Sequence, residues 1–350
     1  MKRRTGTGLA VCLLTGTAAA QEPATLDGVT VTAKGYAAPE AETPRSVTVM
    51  DAETIQRREA RSVGDLLRGE PGLATAVDGS VGVDPVVRGL KRDQVLVLVD
   101  GVRVNAMQPP ARGSLASYVN VDLIERIEVV RGPGSVLYGA GAMGGVINII
   151  TKGGGFREEA GTTGWSRLGV SSVDSGTRGA FGLTAADDET ALSLSAAHLN
   201  VDDYETGFGE ELEDSGTSQA SFHLQARHRL GDDHVISARA QRDRREDVWY
   251  LASRDDVETA RASEPDGLNT HYSPYQTRDR YELAWRGDFA GAWAPRAEAT
   301  VYRQRLERGN YDYNEERQTD FRKSDTEFVT DGARTQVELV PSASQVLLVG

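Results

Sequence analysis

The second half of the chain consists of stretches in which polar and apolar residues alternate, and this pattern limits the folds available to it. In residues 219–230, Ala220, Phe222 and Leu224 are apolar, and the residues between them are polar. Residues 279–288 alternate in the same way, with charged side chains on the polar face. Successive side chains of a strand lie on opposite faces, so this charged face cannot be the core of a sandwich. The pattern predicts antiparallel strands whose second face meets water or a polar lumen.

Nine candidate strands follow one another, joined by connections of unequal length. They are predicted at 165–172, 178–185, 190–198, 219–230, 234–241, 279–288, 296–306, 333–340 and from 346 onward. After the first pair, short and long connections alternate, as in bacterial outer-membrane barrels, whose periplasmic turns are short and whose outer loops are long. This sorting predicts that the long connections at 199–218, 242–278 and 307–332 share one end, outside the cell. The domain before the strands would then enter the barrel from the periplasm.

The composition argues against two other classes of protein. Mean hydropathy is -0.41, and no apolar run beyond residues 9–20 approaches the length of a membrane-spanning helix. A bundle of transmembrane helices is therefore not expected. Asp and Glu total 52 against 39 Lys and Arg, a formal charge of -13. Such an acidic balance argues against a surface that binds nucleic acid.

Residues 1–20 are predicted to be a secretory signal peptide. Three basic residues at 2–4 precede the apolar stretch at 9–20, which ends in small residues that suit signal peptidase. A buried N-terminal helix is the alternative, but it needs a polar face that this stretch lacks. Cleavage after Ala20 would remove Cys12, the single cysteine. The exported protein is thus expected to contain neither disulfides nor thiolate metal sites.

Residues 44–152 mix short strands with short helices, which predicts a compact α+β domain. Strands are predicted at 45–50, 94–99, 102–105, 123–131 and 145–152, and helices at 55–59 and 63–68. Asp51 and Ser62 are placed to cap the two helices. Asp100 and Gly101 separate two strands and indicate a hairpin, because glycine tolerates the positive φ of a tight turn. The domain boundary is predicted at the glycines of 153–155.

No residue pattern in the chain indicates catalysis. Residues 139–144 match the dinucleotide fingerprint G-x-G-x-x-G, but a strand at 146–150 follows where that motif requires a helix. The glycines are better explained by close packing. The first histidine is His198, and no Ser/His/Asp, Cys/His or paired-carboxylate arrangement can be defended. The sequence therefore predicts a protein that is not an enzyme, with no cofactor and no metal site.

Three segments of the first domain resemble the plug of TonB-dependent outer-membrane receptors. They lie at 87–89, 95–103 and 124–151. Their motif residues are Arg88, Gly89, Asp100, Gly101, Arg131, Gly132, Pro133, Tyr138, Gly139, Gly144, Gly145 and Asn148. The resemblance implies an α+β plug domain at 44–152, followed at 153–350 by antiparallel transmembrane β-barrel strands that belong to a barrel of about 22 strands.

The segment after the signal peptide resembles the TonB box of the same family, within a linker at 21–43. Its residues are Leu26, Asp27, Gly28, Val29, Thr30, Val31 and Thr32. In the family, this segment pairs as an extra strand with the periplasmic protein TonB. Backbone hydrogen bonds supply the affinity of such pairing, so the segment needs β-prone residues and no proline. The resemblance implies TonB, with its inner-membrane energising complex, as a partner.

Two interpretations stay open for Arg88 and Arg131. In the family, plug arginines contact glutamates of the barrel wall, and both residues stand at matching motif positions. The alternative is that they bond carbonyl groups within the plug.

The chain is expected to supply less than half of such a barrel. Its nine candidate strands use residues 161–350, and about 22 strands at that spacing need roughly 460 residues. An open sheet in lipid would leave the backbone groups of its edges unpaired. The sequence is thus expected to be a fragment of a longer receptor, or a remnant without function of its own.

The resemblance implies uptake of a scarce metal chelate across the outer membrane, such as a ferric siderophore, haem or cobalamin. The connection at 242–278 contains Trp249, Tyr250, His271, Tyr272 and Tyr275, which are suited to stack on such a ligand or ligate it. Aromatic residues are also expected at the membrane interface of any barrel. The first domain has no histidine, which weakens the case for haem. A soluble or surface ligand-binding β protein is the alternative from another class.

Overall fold

The structure is a computed structural model. It describes residues 30–31, 38–39, 46–79, 81–105, 114–134, 138–212, 214–250, 269–289, 293–314, 319–342 and 345–350. The predicted signal peptide lies outside the described residues, and so does most of the linker at 21–43. Among the helices of the described residues, none has the length and apolar character needed to cross a membrane.

The N-terminal domain has an α+β fold around a five-stranded sheet. Its elements are β3 (Val47–Asp51), α1 (Ala52–Arg57), α2 (Val63–Leu67), β4 (Leu73–Asp78), β5 (Gly82–Val87), β6 (Val95–Val99), β7 (Val102–Arg103), β8 (Ile124–Arg131) and β9 (Gly145–Thr151), preceded by β1 (Thr30–Val31) and β2 (Ala38–Pro39). The strand order is β3-β8-β9-β6-β7, and only β6 and β9 pair in parallel. Strands β4 and β5 form a separate hairpin, which the sequence did not predict.

The local structure of this domain follows the predicted caps and turn. Asp51 accepts a hydrogen bond from the backbone N–H of Thr54 at 2.8 Å, and α1 begins directly after it. Ser62 caps α2 in the same way, through the N–H of Asp65. Asp100 and Gly101 have φ values of 49° and 78° and join β6 to β7. Both caps and the hairpin are therefore confirmed, with element ends shifted by a few residues.

The core of the domain consists mainly of valine, isoleucine and leucine. The apolar faces of β6, β8 and β9 meet α2 there, with Leu66, Ile127 and Ile147 fully buried. Leu306 of the second half belongs to the same cluster, and Phe328 packs against it. The hydrophobic core therefore extends from the N-terminal domain onto the strands that follow it.

The second half is a nine-stranded antiparallel sheet, called the wall below. Its strands, in spatial order, are β10 (Gly161–Val170), β11 (Thr177–Ala186), β12 (Thr190–Val201), β15 (Thr217–Leu230), β16 (His234–Tyr250), β17 (Asn269–Asp288), β18 (Arg296–Asn314), β19 (Thr319–Ser342) and β20 (Gln345–Val349). A small hairpin of β13 (Tyr204–Glu205) and β14 (Glu211–Leu212) lies in the connection between β12 and β15. Each wall strand pairs with the next along the chain, as predicted for an up-and-down meander.

The two faces of the wall have opposite character. Phe222 and Leu283 are 47% and 61% exposed on the outer face. Gln241 and Arg280 point the other way and are almost completely buried against the N-terminal domain. The alternation in the sequence thus separates an apolar outer face from a polar inner face.

Two long connections were predicted incorrectly. Strand β16 continues to Tyr250 and β17 begins at Asn269, so only residues 251–268 join them, and these lie outside the described residues. Strands β18 and β19 leave only residues 315–318 between them, instead of the predicted 307–332. The physical reason is that the strands continue past the zone of exposed apolar residues on the outer face, which includes Leu224 and Leu283 and is called the apolar band below. Backbone pairing persists beyond this band, but polar residues occupy both faces there and the alternation disappears.

Candidate functional site

The β6–β7 turn of the N-terminal domain presents a buried carboxylate to the wall. Asp100 accepts hydrogen bonds from the backbone N–H of Thr151 at 2.9 Å and from Gln241 of the wall at 3.0 Å. Asn148 of β9 stabilises the turn, because its side-chain oxygen accepts a hydrogen bond from the backbone N–H of Gly101 at 3.1 Å. The turn predicted from Asp100 and Gly101 therefore lies at the contact between the domain and the wall.

Two wall arginines neutralise this carboxylate. Arg239 and Arg280 lie 3.2 Å and 3.3 Å from Asp100. Burial raises the pKa of Asp100, but the two guanidinium groups and the hydrogen bonds from Thr151 and Gln241 outweigh it and lower that pKa to about 2. Asp100 is thus ionised at neutral pH in a place where a carboxylate without partners would be costly.

Further contacts attach the domain along most of the wall. At one end, Arg167 of β10 lies 2.8 Å from Asp122 and 2.7 Å from Glu59. At the other end, Arg334 of β19 donates to the carbonyl of Gly101 at 3.2 Å. Gln304 of β18 donates to the carbonyl of Arg103. The wall therefore surrounds the domain from β10 to β19.

The two motif arginines occupy different environments. Arg131 donates to the carbonyl of Pro71 at 2.6 Å and to the hydroxyl of Ser46 at 3.3 Å, both within the N-terminal domain. Arg88 has a positive φ of 51° and an exposed side chain, next to Gly132. For Arg131, these bonds correspond to the interpretation that it bonds groups within its own domain. A contact of Arg88 with the wall remains a prediction.

Two of the motif glycines, Gly144 and Gly145, lie where the chain passes close to itself. A Cβ at Gly145 would lie 2.4 Å from the carbonyl oxygen of Val130 in the neighbouring strand, and one at Gly144 would lie 2.8 Å from Leu90. Gly132 donates to the carbonyl of Gly144 at 2.9 Å. The remaining motif residues Gly89, Pro133, Tyr138 and Gly139 lie in or beside the same turns. A strand follows residues 139–144, which does not fit the helix that the dinucleotide motif requires. Gly144 serves close packing, whereas Gly139 and Gly141 have positive φ values of 83° and 93° that suit glycine.

The five aromatic and histidine residues proposed to contact a ligand lie on strands, and they are divided between the two faces. Tyr250 and His271 are cross-strand neighbours on the inner face, and His271 bonds Asp312. Trp249 stacks on Tyr272 on the outer face, with ring centroids 4.3 Å apart. Tyr275 also faces outward, because β17 contains a bulge between Tyr272 and Gln276. Their assignment to a loop was wrong because the strands extend further than predicted.

Tyr250 connects the C-terminal end of β16 to the N-terminal domain. Its ring packs with Val81, beside the tip of the β4–β5 hairpin, and with Val248. Its hydroxyl accepts hydrogen bonds from Gln276, at 2.7 Å, and from Arg308. This contact places Tyr250 beside the tip of the β4–β5 hairpin.

A cavity of 950 Å³ separates part of the domain from the wall. On the domain side, Glu125 and Lys152 line it, and on the wall side Trp165, His223 and Arg239 do so. Burial lowers the pKa of Lys152, although Glu125 and Asp122 oppose that effect. Charged and apolar side chains both line the cavity, so water can occupy it next to Glu125, Lys152 and Arg239.

Only part of the predicted TonB box is described. Thr30 and Val31 form β1, which pairs antiparallel with Pro39 and Ala38. The other box residues, Leu26, Asp27, Gly28, Val29 and Thr32, lie outside the described residues. The pairing places two box residues in extended backbone, as strand addition requires.

The sequence did not identify the wall residues of the site. Arg239, Gln241 and Arg280 lie on the polar face of predicted strands, which was the only available indication. Gln241 and Arg280 lie 141 and 180 positions after Asp100 in the sequence, although they contact it. Pairing over such distances depends on the register of the whole sheet.

Comparisons with known proteins agree with this arrangement. The family model of the TonB-dependent receptor plug domain matches residues 39–146. The vitamin B12 transporter BtuB of Vibrio vulnificus (strain CMCP6) is 34% identical over 218 residues, which cover 57% of this chain and 36% of that protein. The chain thus spans little more than a third of that relative's length.

Solved structures share the fold at low sequence identity. The copper transporter OprC has a TM-score of 0.69 at 19% identity, covering 84% of this chain and 43% of its own. The FrpB iron transporter of Neisseria meningitidis has a TM-score of 0.65 at 18% identity, covering 86% and 47%. The likeness spans both the N-terminal domain and the wall, since it covers 84% and 86% of this chain. The N-terminal domain thus matches the plug domain of the TonB-dependent receptors, and the chain as a whole is similar to such receptors and shares the fold of solved transporters across both its domain and its wall.

Proposed function

We propose that this chain is part of an outer-membrane receptor that takes up a scarce metal chelate with energy supplied through TonB. The observation that carries the proposal is the buried network in which Asp100 of the plug contacts Arg239 and Arg280 of the wall. Polar contacts of this kind can be broken and formed again, because water can hydrate the separated charges. The apolar contacts of Leu306 and Phe328 with the plug core would separate in the same step. That property suits a gate in a transporter.

The chelate would bind at the outer end of the plug. Tyr250 and His271 face inward there, beside Val81. The names of the relatives mention vitamin B12, copper and iron, which support a metal-containing ligand and do not choose among a ferric siderophore, haem and cobalamin. Residues 26–32 would pair with TonB on the periplasmic side, and pulling on them would rearrange the plug.

The outer face of the wall favours this proposal over a soluble binding protein. Phe222, Leu224 and Leu283 form part of a broad exposed apolar surface. A soluble monomer rarely leaves so large an apolar surface in water, whereas lipid acyl chains would cover it. Washing of membranes with alkaline carbonate tests this point, because an integral receptor stays in the pellet and a soluble protein is released.

The coupling step is tested with two variants at one box position. Val31→Pro removes a backbone N–H needed for strand pairing with TonB, whereas Val31→Thr keeps the N–H and the β propensity. We expect Val31→Pro to abolish uptake of cobalamin, haem or ferric siderophores while their binding to cells persists. Val31→Thr should leave both unchanged. Normal uptake by the proline variant would overturn the proposed role of the box.

A further inference from the structure

The inner face of the wall has an arrangement of arginines that the plug contacts do not fully explain. Arg245 on β16 and Arg278 on β17 lie nearer to Tyr250 and are called the upper pair. Arg239 on β16 and Arg280 on β17 lie further from Tyr250 and are called the lower pair. All four point toward the plug, because alternate residues of a strand share a face. This concentration of positive charge occurs in a chain with a formal charge of -13.

The lower two arginines have carboxylate partners. Arg239 and Arg280 share Asp100 of the plug and Glu282 of the wall. These four charged groups compensate one another, and the contact is the plug attachment described above.

The upper two arginines are undercompensated. Arg278 donates to Asp243 at 2.7 Å, and the same carboxylate lies 3.3 Å from His223. Arg245 donates to the side-chain oxygen of Gln219 and, within the described part of the chain, forms no ion pair. Asp243 therefore serves Arg278 and His223, and the guanidinium group of Arg245 has only the amide oxygen of Gln219 as an acceptor within the described residues.

Several donors of this group have no acceptor in the structure. The Nε and Nη1 atoms of both Arg245 and Arg278 are buried without a hydrogen-bond partner, and so is Nε2 of Gln219. These three side chains are at most 2% exposed. A buried cation whose hydrogens find neither water nor acceptor is costly, so such a cluster is most stable with an added acceptor of negative charge.

The register brings these donors together. Gln219 pairs with Arg245, and Asp243 pairs with Arg278 on the next strand. Arg245 and Arg278 are thus diagonal neighbours, about 7 to 8 Å apart along the sheet. A carboxylate or phosphate between two guanidinium groups at this spacing can accept hydrogen bonds from both.

We propose that Arg245, Arg278 and Gln219 form an anion-binding site on the inner wall, which receives carboxylate or phosphate groups of an acidic ligand when the plug moves. The cavity between plug and wall begins next to this site, since His223, Gln241 and Arg239 line it. The arginines therefore mark a path for anions from the outer part of the plug toward the cavity. This inference rests on the proposed transport function and specifies an anionic ligand for it.

The site is tested by ion selectivity, independently of chelate uptake. The purified receptor is inserted in planar lipid bilayers, the plug is displaced with urea, and the chloride-to-potassium permeability ratio is obtained from reversal potentials in a KCl gradient. We expect the chloride-to-potassium permeability ratio to be lower by a factor of about three or more in the Arg245→Gln/Arg278→Gln double variant. Inorganic phosphate, added as the probe, should inhibit the chloride current of the unmodified receptor and not that of the variant.

Two controls keep the result interpretable. The Arg245→Lys/Arg278→Lys variant retains the charge and should retain selectivity, which separates the charge from the fold of the wall. Arg303→Gln removes an exposed arginine on the outer face, where it pairs with Asp331, and should change nothing. An unchanged ratio in the glutamine double variant, or an equal fall in Arg303→Gln, would overturn the anion site. Normal uptake with unchanged selectivity would leave the transport function standing and remove only this inference.

Discussion

At the scale of single residues, the buried contact between Asp100 and the two wall arginines contributes to the attachment of the plug. Asp100→Asn would leave Arg239 and Arg280 buried with only Glu282 as a carboxylate partner. Removing one member of a buried ion network costs about 3 to 5 kcal/mol. We therefore expect the plug to be released at a lower urea concentration. Its release is monitored in the purified receptor by the protease sensitivity of the plug.

An exposed ion pair offers the matched control for this variant. Glu53 pairs with Arg57 at 3.0 Å on α1 of the plug, and both side chains are more than half exposed. Glu53→Gln is expected to change stability by less than about 1 kcal/mol. Equal effects of the two substitutions would show that burial of the Asp100 network contributes nothing to plug attachment.

The ionisation of Asp100 also predicts how plug attachment depends on pH. The pKa is about 2 in the folded protein and about 3.9 in an unfolded chain. A lowered folded-state pKa contributes stability that is present above the unfolded value and is lost as the pH falls toward the folded value. The difference in urea midpoint between the unmodified receptor and Asp100→Asn should therefore be constant near neutral pH and shrink between about pH 4 and pH 2. A difference that stays constant down to pH 2 would contradict the ionised state of Asp100.

At the scale of elements, the plug sheet depends on a glycine between β8 and β9. A Cβ at Gly145 would lie 2.4 Å from the carbonyl oxygen of Val130, so Gly145→Ala forces the two strands apart. Such overpacking costs about 1 to 3 kcal/mol, which urea unfolding of the plug measures. Gly155→Ala is the control, because no atom lies within 4 Å of its added Cβ. We expect a lower midpoint for the first variant only.

The same scale explains which elements the sequence could predict. Asp51, Ser62 and the Asp100–Gly101 turn act over three or four residues, so the two helices and the β6–β7 hairpin were predictable. The β4–β5 hairpin was missed because β5 contains Pro85 and the buried Asp84, which are unusual in a strand. Asp84 is tolerated because Arg92 donates to it at 3.0 Å.

The wall shows a similar limit. Strands were predicted correctly where an apolar outer face contrasts with a polar inner face, as at Phe222 and Leu283. The parts of β16 to β19 at the end of the wall that contains Tyr250 and His271 lack that contrast, so these two residues were assigned to a loop. The anion site and the Asp100 contacts were not predictable, because they depend on register between strands far apart in sequence.

At the scale of the whole molecule, the position of an outer-face residue relative to the apolar band should decide the cost of a charge. Leu283 lies in register with Ala238 and Val301, near the middle of the band, whereas Val329 lies opposite Arg305 at its edge. An arginine at the centre of a bilayer costs about 2 to 4 kcal/mol, and near the interface about 0 to 1 kcal/mol. Leu283→Arg should therefore reduce insertion of the receptor into phospholipid vesicles, measured by heat-modifiable migration, much more than Val329→Arg does. Equal insertion of both variants would mean that lipid does not cover this face, and the wall would then need another protein surface to bury it.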